Sequence, residues 1–199
     1  MFVKVCGLST PESVRAAAES GADAVGFVLT RSPREVKPAE VRGLLAHLPA
    51  GFPAVGVFRH ETASDAVELA REAGLSWVQL HGDRSPADVQ AVHDAGMKVI
   101  RAVTMSAAPE AFGNWGEELL LIDAAVPGSG EAWDYSSVRS RGLEGRDWLL
   151  AGGLDPANVA QAGVQAGAWG VDVSSGVESS RGVKDLAKIR DFVRAAKSP

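Results

Sequence analysis

One local pattern recurs along the chain: a helical stretch ends in glycine, a short polar step follows, and a strand rich in β-branched residues begins. The glycines are Gly21, Gly74, Gly96 and Gly167. A glycine just past a helix adopts the left-handed conformation that closes the last turn. Short apolar strands that alternate with helices build βα units around a parallel sheet. The pattern therefore restricts the chain to the α/β class.

Eight apolar segments have the length and composition of strands. They lie near residues 2–6, 23–28, 53–58, 76–80, 97–102, 118–122, 147–151 and 169–173. Helices are predicted between most of them, at residues 10–20, 38–48, 61–73, 85–95, 155–166 and 183–196, and the helical pattern is weakest after the fifth and sixth strands. A polar cap followed by proline marks three helix starts, Thr10-Pro11, Ser85-Pro86 and Asp155-Pro156.

The last two strands each end in a turn of small residues that opens a helix. Such turns leave backbone N–H groups accessible to an anion, and the positive end of the following helix dipole adds attraction. One Gly-Gly alone would be an ordinary helix cap. Two such turns on adjacent strands predict one phosphate site, made by Gly152, Gly153, Ser174, Ser175 and Gly176.

A phosphate site in the loops after strands 7 and 8 is the usual arrangement in a (β/α)8 barrel. We therefore predict a single closed (β/α)8 TIM barrel over residues 1–199, rather than an open doubly wound sheet. No linker or low-complexity run divides the chain. The expected ligand is a small phosphorylated molecule.

Composition limits the partners. The formal net charge is −5, and no basic run exceeds two residues, so nucleic acid is not an expected partner. No apolar stretch approaches the ~20 residues of a membrane span, and the N-terminus resembles no signal peptide. A single cysteine suits a reducing compartment. We expect a cytoplasmic protein that acts as a monomer.

Two candidates for proton transfer lie at predicted strand ends, where the active site of such a barrel is built. Asp123 follows four apolar residues, and burial there would raise its pKa toward that of a general acid. A capping or turn aspartate is the equally good alternative. Cys6 could act as a thiolate base, favoured by Lys4 on the same strand face. From spacing alone, a small buried hydrophobe is the slightly better interpretation of Cys6.

Three further side chains are candidate ligands of a substrate. Arg34, in the loop after the second strand, could clamp a carboxylate through two hydrogen bonds, or it could be a solvated loop residue. His81 could contact substrate or be a satisfied histidine at a strand end. Asp172 shares the inward face with Ser174, and it would meet Lys4 if the last strand pairs with the first.

Neither a metal nor a cofactor is indicated. The histidines and the cysteine form no short ligand motif, and neither a dinucleotide fingerprint nor a P-loop occurs. Among the tryptophans, Trp133 is the candidate pocket wall, and the others are interpreted as packing between strands and helices.

Several motifs occur in an order that resembles the phosphoribosylanthranilate isomerase family of tryptophan biosynthesis, almost end to end. They are Lys4-Val5-Cys6-Gly7-Leu8, Gly21-Ala22-Asp23-Ala24-Val25-Gly26-Phe27, Ser32-Pro33-Arg34, Val78-Gln79-Leu80-His81-Gly82-Asp83, Leu121-Ile122-Asp123-Ala124, Ala151-Gly152-Gly153-Leu154 and Gly170-Val171-Asp172-Val173-Ser174-Ser175-Gly176-Val177-Glu178. One segment departs from the family: residues 127–134 stand where a longer Gly-Gly-Thr-Gly stretch is often found.

The resemblance implies an intramolecular aldose–ketose isomerase that needs no cofactor. The implied reaction is the Amadori rearrangement of N-(5'-phosphoribosyl)anthranilate to 1-(2-carboxyphenylamino)-1-deoxyribulose 5-phosphate. By resemblance, Asp123 is the acid that opens the ribose ring and Cys6 is the base. Arg34 binds the anthranilate carboxylate, and the glycine and serine turns bind the phosphate.

Two alternatives remain at this stage. The related sugar isomerase of histidine biosynthesis would be expected to carry an aspartate in place of Cys6. A non-catalytic phosphosugar-binding barrel would not need both Cys6 and Asp123.

Overall fold

The apolar segments form eight parallel strands, and in the computed structural model, which describes residues 1–124 and 132–198, these strands close into a barrel. Each strand pairs with the next along the chain, and the eighth pairs with the first, which confirms the predicted (β/α)8 TIM barrel. The strands are β1 Phe2–Cys6, β2 Ala24–Val28, β3 Ala54–Phe58, β4 Trp77–Leu80, β5 Lys98–Thr104, β6 Leu119–Asp123, β7 Trp148–Leu150 and β8 Gly170–Val173.

Six α-helices pack around the barrel at the predicted places within the described residues. They are α1 Pro11–Glu19, α2 Pro38–Leu45, α3 Ala63–Ala73, α4 Pro86–Asp94, α5 Val159–Ala166 and α6 Leu186–Lys197. After β5 and β6, where the helical pattern is weakest, the structure has short 3-10 helices at Pro109–Phe112 and Tyr135–Arg141. The four glycines of the recurring pattern all have positive φ, between 69° and 90°, as predicted.

Two predicted helix starts are wrong. The Asp155 carboxylate accepts hydrogen bonds from the backbone N–H groups of Ala157 and Asn158, at 2.7 and 3.0 Å, so it stabilises a separate turn and α5 begins only at Val159. The other error concerns residues 183–184, which form β10 (Val183–Lys184). This strand pairs antiparallel with β9 (Glu178–Ser180) in a hairpin before α6.

The barrel interior changes character along its axis. Apolar side chains fill the part nearer the N-terminal ends of the strands, namely Val55, Ile100, Leu119, Leu121 and Leu149. Polar side chains occupy the interior nearer the C-terminal ends, namely Lys4, Cys6, Gln79, Asp123 and Asp172. Because strand residues alternate between the two faces, the outward residues pack under the helices as the main core. The alternation therefore concentrates the polar groups at one mouth of the barrel.

Two further expectations concern a membrane span and the segment 127–134. Within the described residues, no helix has the length and apolar character needed to cross a bilayer. Most of the segment 127–134 that departs from the family pattern lies outside those residues.

Candidate active site

Two adjoining cavities open at the C-terminal ends of the strands, and His81 and Asp123 line both. The small cavity has a volume of about 120 Å³. It brings together every site residue predicted from the sequence except Gly176: Cys6, Arg34, His81, Asp123, Gly152, Gly153, Asp172, Ser174 and Ser175. The large cavity, of about 450 Å³, lies above β3 to β6. Residues from distant parts of the chain thus meet at one mouth of the barrel, as the predicted topology requires.

Cys6 ends β1 and is 5 % exposed. Burial raises the pKa of its thiol, and this effect outweighs the nearby ammonium groups of Lys4 and Lys184, which lower it. The thiol form therefore predominates at neutral pH. Because Gly26 has no side chain, Cys6 and Lys4 fit beside it on the barrel wall: a Cβ there would lie 2.7 Å from the Cys6 sulfur and 3.2 Å from Lys4 Nζ.

Asp123 ends β6 and is 8 % exposed. Burial raises the pKa of its carboxyl group to about 6, against a smaller lowering by the Ala124 N–H, which donates to Oδ1 at 2.8 Å. A carboxyl group with this pKa holds a proton in part of the molecules near neutral pH, which suits a general acid. Gly152 approaches the same carboxyl so closely that a Cβ there would lie 2.7 Å from Oδ1.

Gln79 lies in β4 and His81 is the first residue after that strand; their side-chain nitrogens, both Nε2, are 2.5 Å apart. Burial and the positive charges of Lys4, Arg59 and Arg84 lower the pKa of His81 to about 3, so its ring is neutral. Among the described residues, no group bonds to the buried Gln79 Oε1. The sequence reasoning missed Gln79, although its position two residues before His81 already places it on the inward face.

Arg34 is not the solvated loop residue of the alternative interpretation. Its side chain is 16 % exposed, and Nε and Nη2 donate to the two carboxylate oxygens of Glu178 at 2.5 and 2.9 Å. Burial raises the pKa of Glu178, but hydrogen bonds from Arg34 and Lys184 dominate and hold it at about 2. One edge of the guanidinium is therefore engaged within the protein, and only the other can meet a substrate carboxylate. Glu178 and Lys184 were not identified as candidates from the sequence.

The predicted phosphate turns adjoin each other at the small cavity, although their helices differ from expectation. Residues 154–158 separate the first turn from α5, and the second opens only a three-residue 3-10 helix, Ser175–Val177. Gly176 lies behind the cavity, where a Cβ would overlap the Leu154 carbonyl oxygen. Helix dipoles therefore contribute less than predicted, and the nearby cation is Lys184, whose Nζ donates to the Ser174 carbonyl at 2.7 Å.

Trp115, rather than Trp133, lines a cavity among the described residues. Trp133 instead donates from its indole to the carbonyl oxygens of Ala151 and Gly152, at 3.3 and 3.1 Å, so it supports the turn after β7.

In residues 1–124 and 132–198, no group of three or more His, Cys, Asp or Glu side chains is arranged to hold a metal ion.

The sequence matches a family model described as N-(5'-phosphoribosyl)anthranilate (PRA) isomerase over residues 3–195. A similar protein from Pseudomonas putida bears the name N-(5'-phosphoribosyl)anthranilate isomerase. It is 40 % identical over 200 residues, which cover 98 % of this chain and 96 % of the relative.

Solved structures of phosphoribosyl anthranilate isomerases are also similar to this chain. The crystal structure of phosphoribosyl anthranilate isomerase from Thermus thermophilus superposes with a TM-score of 0.90 at 34 % identity, covering 98 % of each chain. Another phosphoribosyl anthranilate isomerase, in complex with reduced 1-(o-carboxyphenylamino)-1-deoxyribulose 5-phosphate, has a TM-score of 0.86 at 35 % identity. The match covers 99 % of this chain and 98 % of that one.

Proposed function

Because the chain belongs to the N-(5'-phosphoribosyl)anthranilate isomerase family, we propose that Asp123 and Cys6 are the acid and the base of its reaction. The enzyme is an isomerase of tryptophan biosynthesis. It rearranges N-(5'-phosphoribosyl)anthranilate to 1-(2-carboxyphenylamino)-1-deoxyribulose 5-phosphate. The observation that carries the assignment is the buried Asp123 carboxyl, with a pKa of about 6, in the same cavity as Cys6.

The rearrangement moves protons only. Asp123 donates a proton to the ribose ring oxygen as the bond from that oxygen to the first carbon breaks and a Schiff base forms. The Cys6 thiolate then removes a proton from the second carbon of the sugar, and the electron pair neutralises the iminium as an enolamine. The Cys6 thiol then returns a proton to the first carbon, while the hydroxyl on the second carbon gives its proton to the Asp123 carboxylate. The enolamine thereby becomes the ketone, and both side chains regain their starting forms. Nothing is oxidised or reduced overall, and we propose that no cofactor takes part.

Electrostatics favour this division of roles. The thiolate is the minor form of Cys6 at neutral pH, but the Lys4 and Lys184 ammonium groups reduce the free energy needed to ionise the thiol. At Asp123, the negative charge of Asp172 disfavours the ionised form, and the smaller effect of the positive charge of Arg59 opposes it. Burial thus raises both pKa values, whereas the neighbouring charges on balance favour the ionised form of Cys6 and, through Asp172, the protonated form of Asp123.

The remaining site residues are proposed to bind substrate. Arg34 would bind the anthranilate carboxylate through its free guanidinium edge, while His81 and Asp172 would contact the sugar. The N–H groups of Gly152, Gly153, Ser174 and Ser175 would bind the phosphate, and Gly176, behind the cavity, would let the two turns lie close together. The active form is proposed to be a monomer. The cytoplasm is the proposed compartment.

The test is turnover of phosphoribosylanthranilate, generated in situ and followed by the loss of anthranilate-type fluorescence. The wild type should turn over, and Cys6→Ser and Asp123→Asn should bind the reduced product analogue but lose most activity. Full activity in either variant would remove that residue from the mechanism. Light scattering of the active fraction tests the monomer, because an active dimer alone would contradict it.

A further inference from the structure

A chain of charged contacts links the phosphate turn to Arg34. Lys184 Nζ donates to the Ser174 carbonyl at 2.7 Å and to its hydroxyl at 3.2 Å. The same ammonium donates to Glu178 Oε1 at 3.0 Å, and Glu178 receives two hydrogen bonds from Arg34. Arg34 and Ser174 both line the small cavity, whereas Glu178 and Lys184 are not among its described lining residues. Glu178 and Lys184 therefore lie behind Arg34 and Ser174, the two predicted binding groups.

The contacts determine how Arg34 is presented. Nε and Nη2 form one edge of the planar guanidinium, and Glu178 engages that edge. Nη1 and the second hydrogen of Nη2 form the other edge, and among the described residues none accepts from Nη1. A guanidinium can bind two carboxylates, one at each edge. An arginine held in this way loses less conformational entropy when it binds a second carboxylate.

The charges also leave this group able to attract an anion. Glu178 is 5 % exposed at its side chain and lies between two cations, Arg34 and Lys184, so the three side chains together carry one positive charge. Glu178 and Lys184 face each other across the β9–β10 hairpin, and the Gly182 N–H donates to Glu178 Oε2 at 3.1 Å. The hairpin thus holds the carboxylate by its own backbone as well as by the two cations.

We infer that Glu178 is a positioning residue, which holds one edge of Arg34 so that the other edge meets the carboxylate on the substrate's aromatic ring. Lys184 donates hydrogen bonds to both Glu178 and the Ser174 turn. These contacts fix the distance between the carboxylate site and the phosphate site. The inference rests on the proposed function, in which Arg34 binds that carboxylate. Glu178 itself touches no substrate atom and acts through Arg34.

Two inhibitors separate positioning from general stability. One is reduced 1-(o-carboxyphenylamino)-1-deoxyribulose 5-phosphate, and the other is the same compound without the ring carboxylate. Their dissociation constants are measured for the wild type, Glu178→Gln, Arg34→Met and the double variant, together with KM and kcat. Glu117→Gln is the matched control, because Glu117 is also a buried carboxylate that pairs with two arginines, Arg101 and Arg146, but lines neither cavity.

Glu178→Gln should weaken the carboxylate inhibitor about tenfold, the size of one charge-assisted hydrogen bond. The inhibitor without the carboxylate should change by no more than about twofold. KM should rise while kcat stays nearly constant, because the lost contact is the same in the ground state and the transition state. In the Arg34→Met background, Glu178→Gln should add almost nothing. Glu117→Gln should lower thermal stability without separating the two inhibitors.

The measurements separate a failure of the proposed Arg34 role from a failure of the positioning role of Glu178. If Arg34→Met does not distinguish the two inhibitors, the proposed role of Arg34 fails. If Arg34→Met distinguishes them but Glu178→Gln weakens both equally, or tightens the carboxylate inhibitor, the positioning role alone is overturned. Should Glu178→Gln not fold, Glu178→Asp keeps the charge but shortens the reach, and it should show the same selective weakening. Equal weakening of both inhibitors by Glu178→Asp would also overturn the inference.

Discussion

Lys4 Nζ lies 2.7 Å from Asp172 Oδ1 inside the barrel, although the two residues are 168 positions apart. They face each other because β8 pairs with β1 in a register that aligns them. Lys4 has no exposed surface, and the carboxylate of Asp172 together with Cys6 raises its pKa despite the opposing effect of burial. The pair thus spans the closure of the barrel and places a permanent cation next to Cys6.

Asp172→Asn should destabilise the protein, because it leaves the buried Lys4 ammonium without its counter-ion. The expected loss at neutral pH is about 3 kcal/mol in the free energy of unfolding, measured with urea. Lys4→Met combined with Asp172→Leu should recover most of that loss, since an apolar pair needs no charge compensation. A single variant as stable as the wild type would show that Lys4 does not need Asp172.

Cys6→Ser should bind the reduced product analogue like the wild type but turn over ~10²–10⁴ times more slowly, the usual contribution of positioned proton transfer. The serine hydroxyl is close to the thiol in size but is a much weaker base at neutral pH. The measurements are kcat and the dissociation constant of the analogue. Near-normal kcat would mean that Cys6 is only a small buried side chain.

Asp123→Asn should remove most turnover while it stabilises the fold at neutral pH. The folded-state pKa of about 6 lies above the ordinary 3.8, so the folded protein holds the proton more tightly than the unfolded chain. This contribution to stability is complete below about pH 3.8 and is lost as the pH rises through 6. The advantage of the variant should therefore grow between pH 4 and pH 7, by roughly 2–3 kcal/mol. An advantage that does not change with pH would contradict the raised pKa.

The pH profile of kcat/KM should bend near pH 6, where Asp123 titrates, and again above the ordinary range of a thiol. Activity needs protonated Asp123 and ionised Cys6, yet the acid has the lower pKa. Between the two pKa values the gain in thiolate therefore cancels the loss of protonated Asp123, and the profile is flat; outside them it falls.

The substrate phosphate also titrates at about pH 6, so a control is needed. In Asp123→Asn, the residual activity should lose the bend near pH 6 and rise with pH until Cys6 is ionised. A bend that persists unchanged in this variant belongs to the phosphate and not to Asp123.

Gly176→Ala should push the two phosphate turns apart, because its Cβ would overlap the Leu154 carbonyl oxygen. We expect a raised KM and a loss of about 1–3 kcal/mol in the free energy of unfolding. Gly43→Ala is the matched control: Gly43 lies in α2 with open space around it, and the change should stabilise by about 0.5–1 kcal/mol. Equal KM values for the two variants would show that close contact of the turns is not needed for phosphate binding.

Most of the fold was predictable from the sequence because its signals are local. Apolar segments, proline and polar caps such as Thr10-Pro11, and the glycines after helices placed the strands and most helices within a few residues. The start of α5 was not predictable, because the Asp155 side chain competes for backbone N–H groups in a way that sequence spacing does not reveal.

The sequence by itself determined which groups reach the mouth of the barrel, since parallel strands bring Cys6, His81, Asp123 and Asp172 to one end by topology alone. Only the tertiary structure decided what each group does there. Arg34 and Glu178 are 144 positions apart, and their pairing depends on how a loop and a hairpin fold back over β1. The pKa of Asp123 likewise depends on the whole surrounding cavity. Periodicity specifies the face on which a residue lies, whereas burial and partners distant in sequence are set only when the barrel closes.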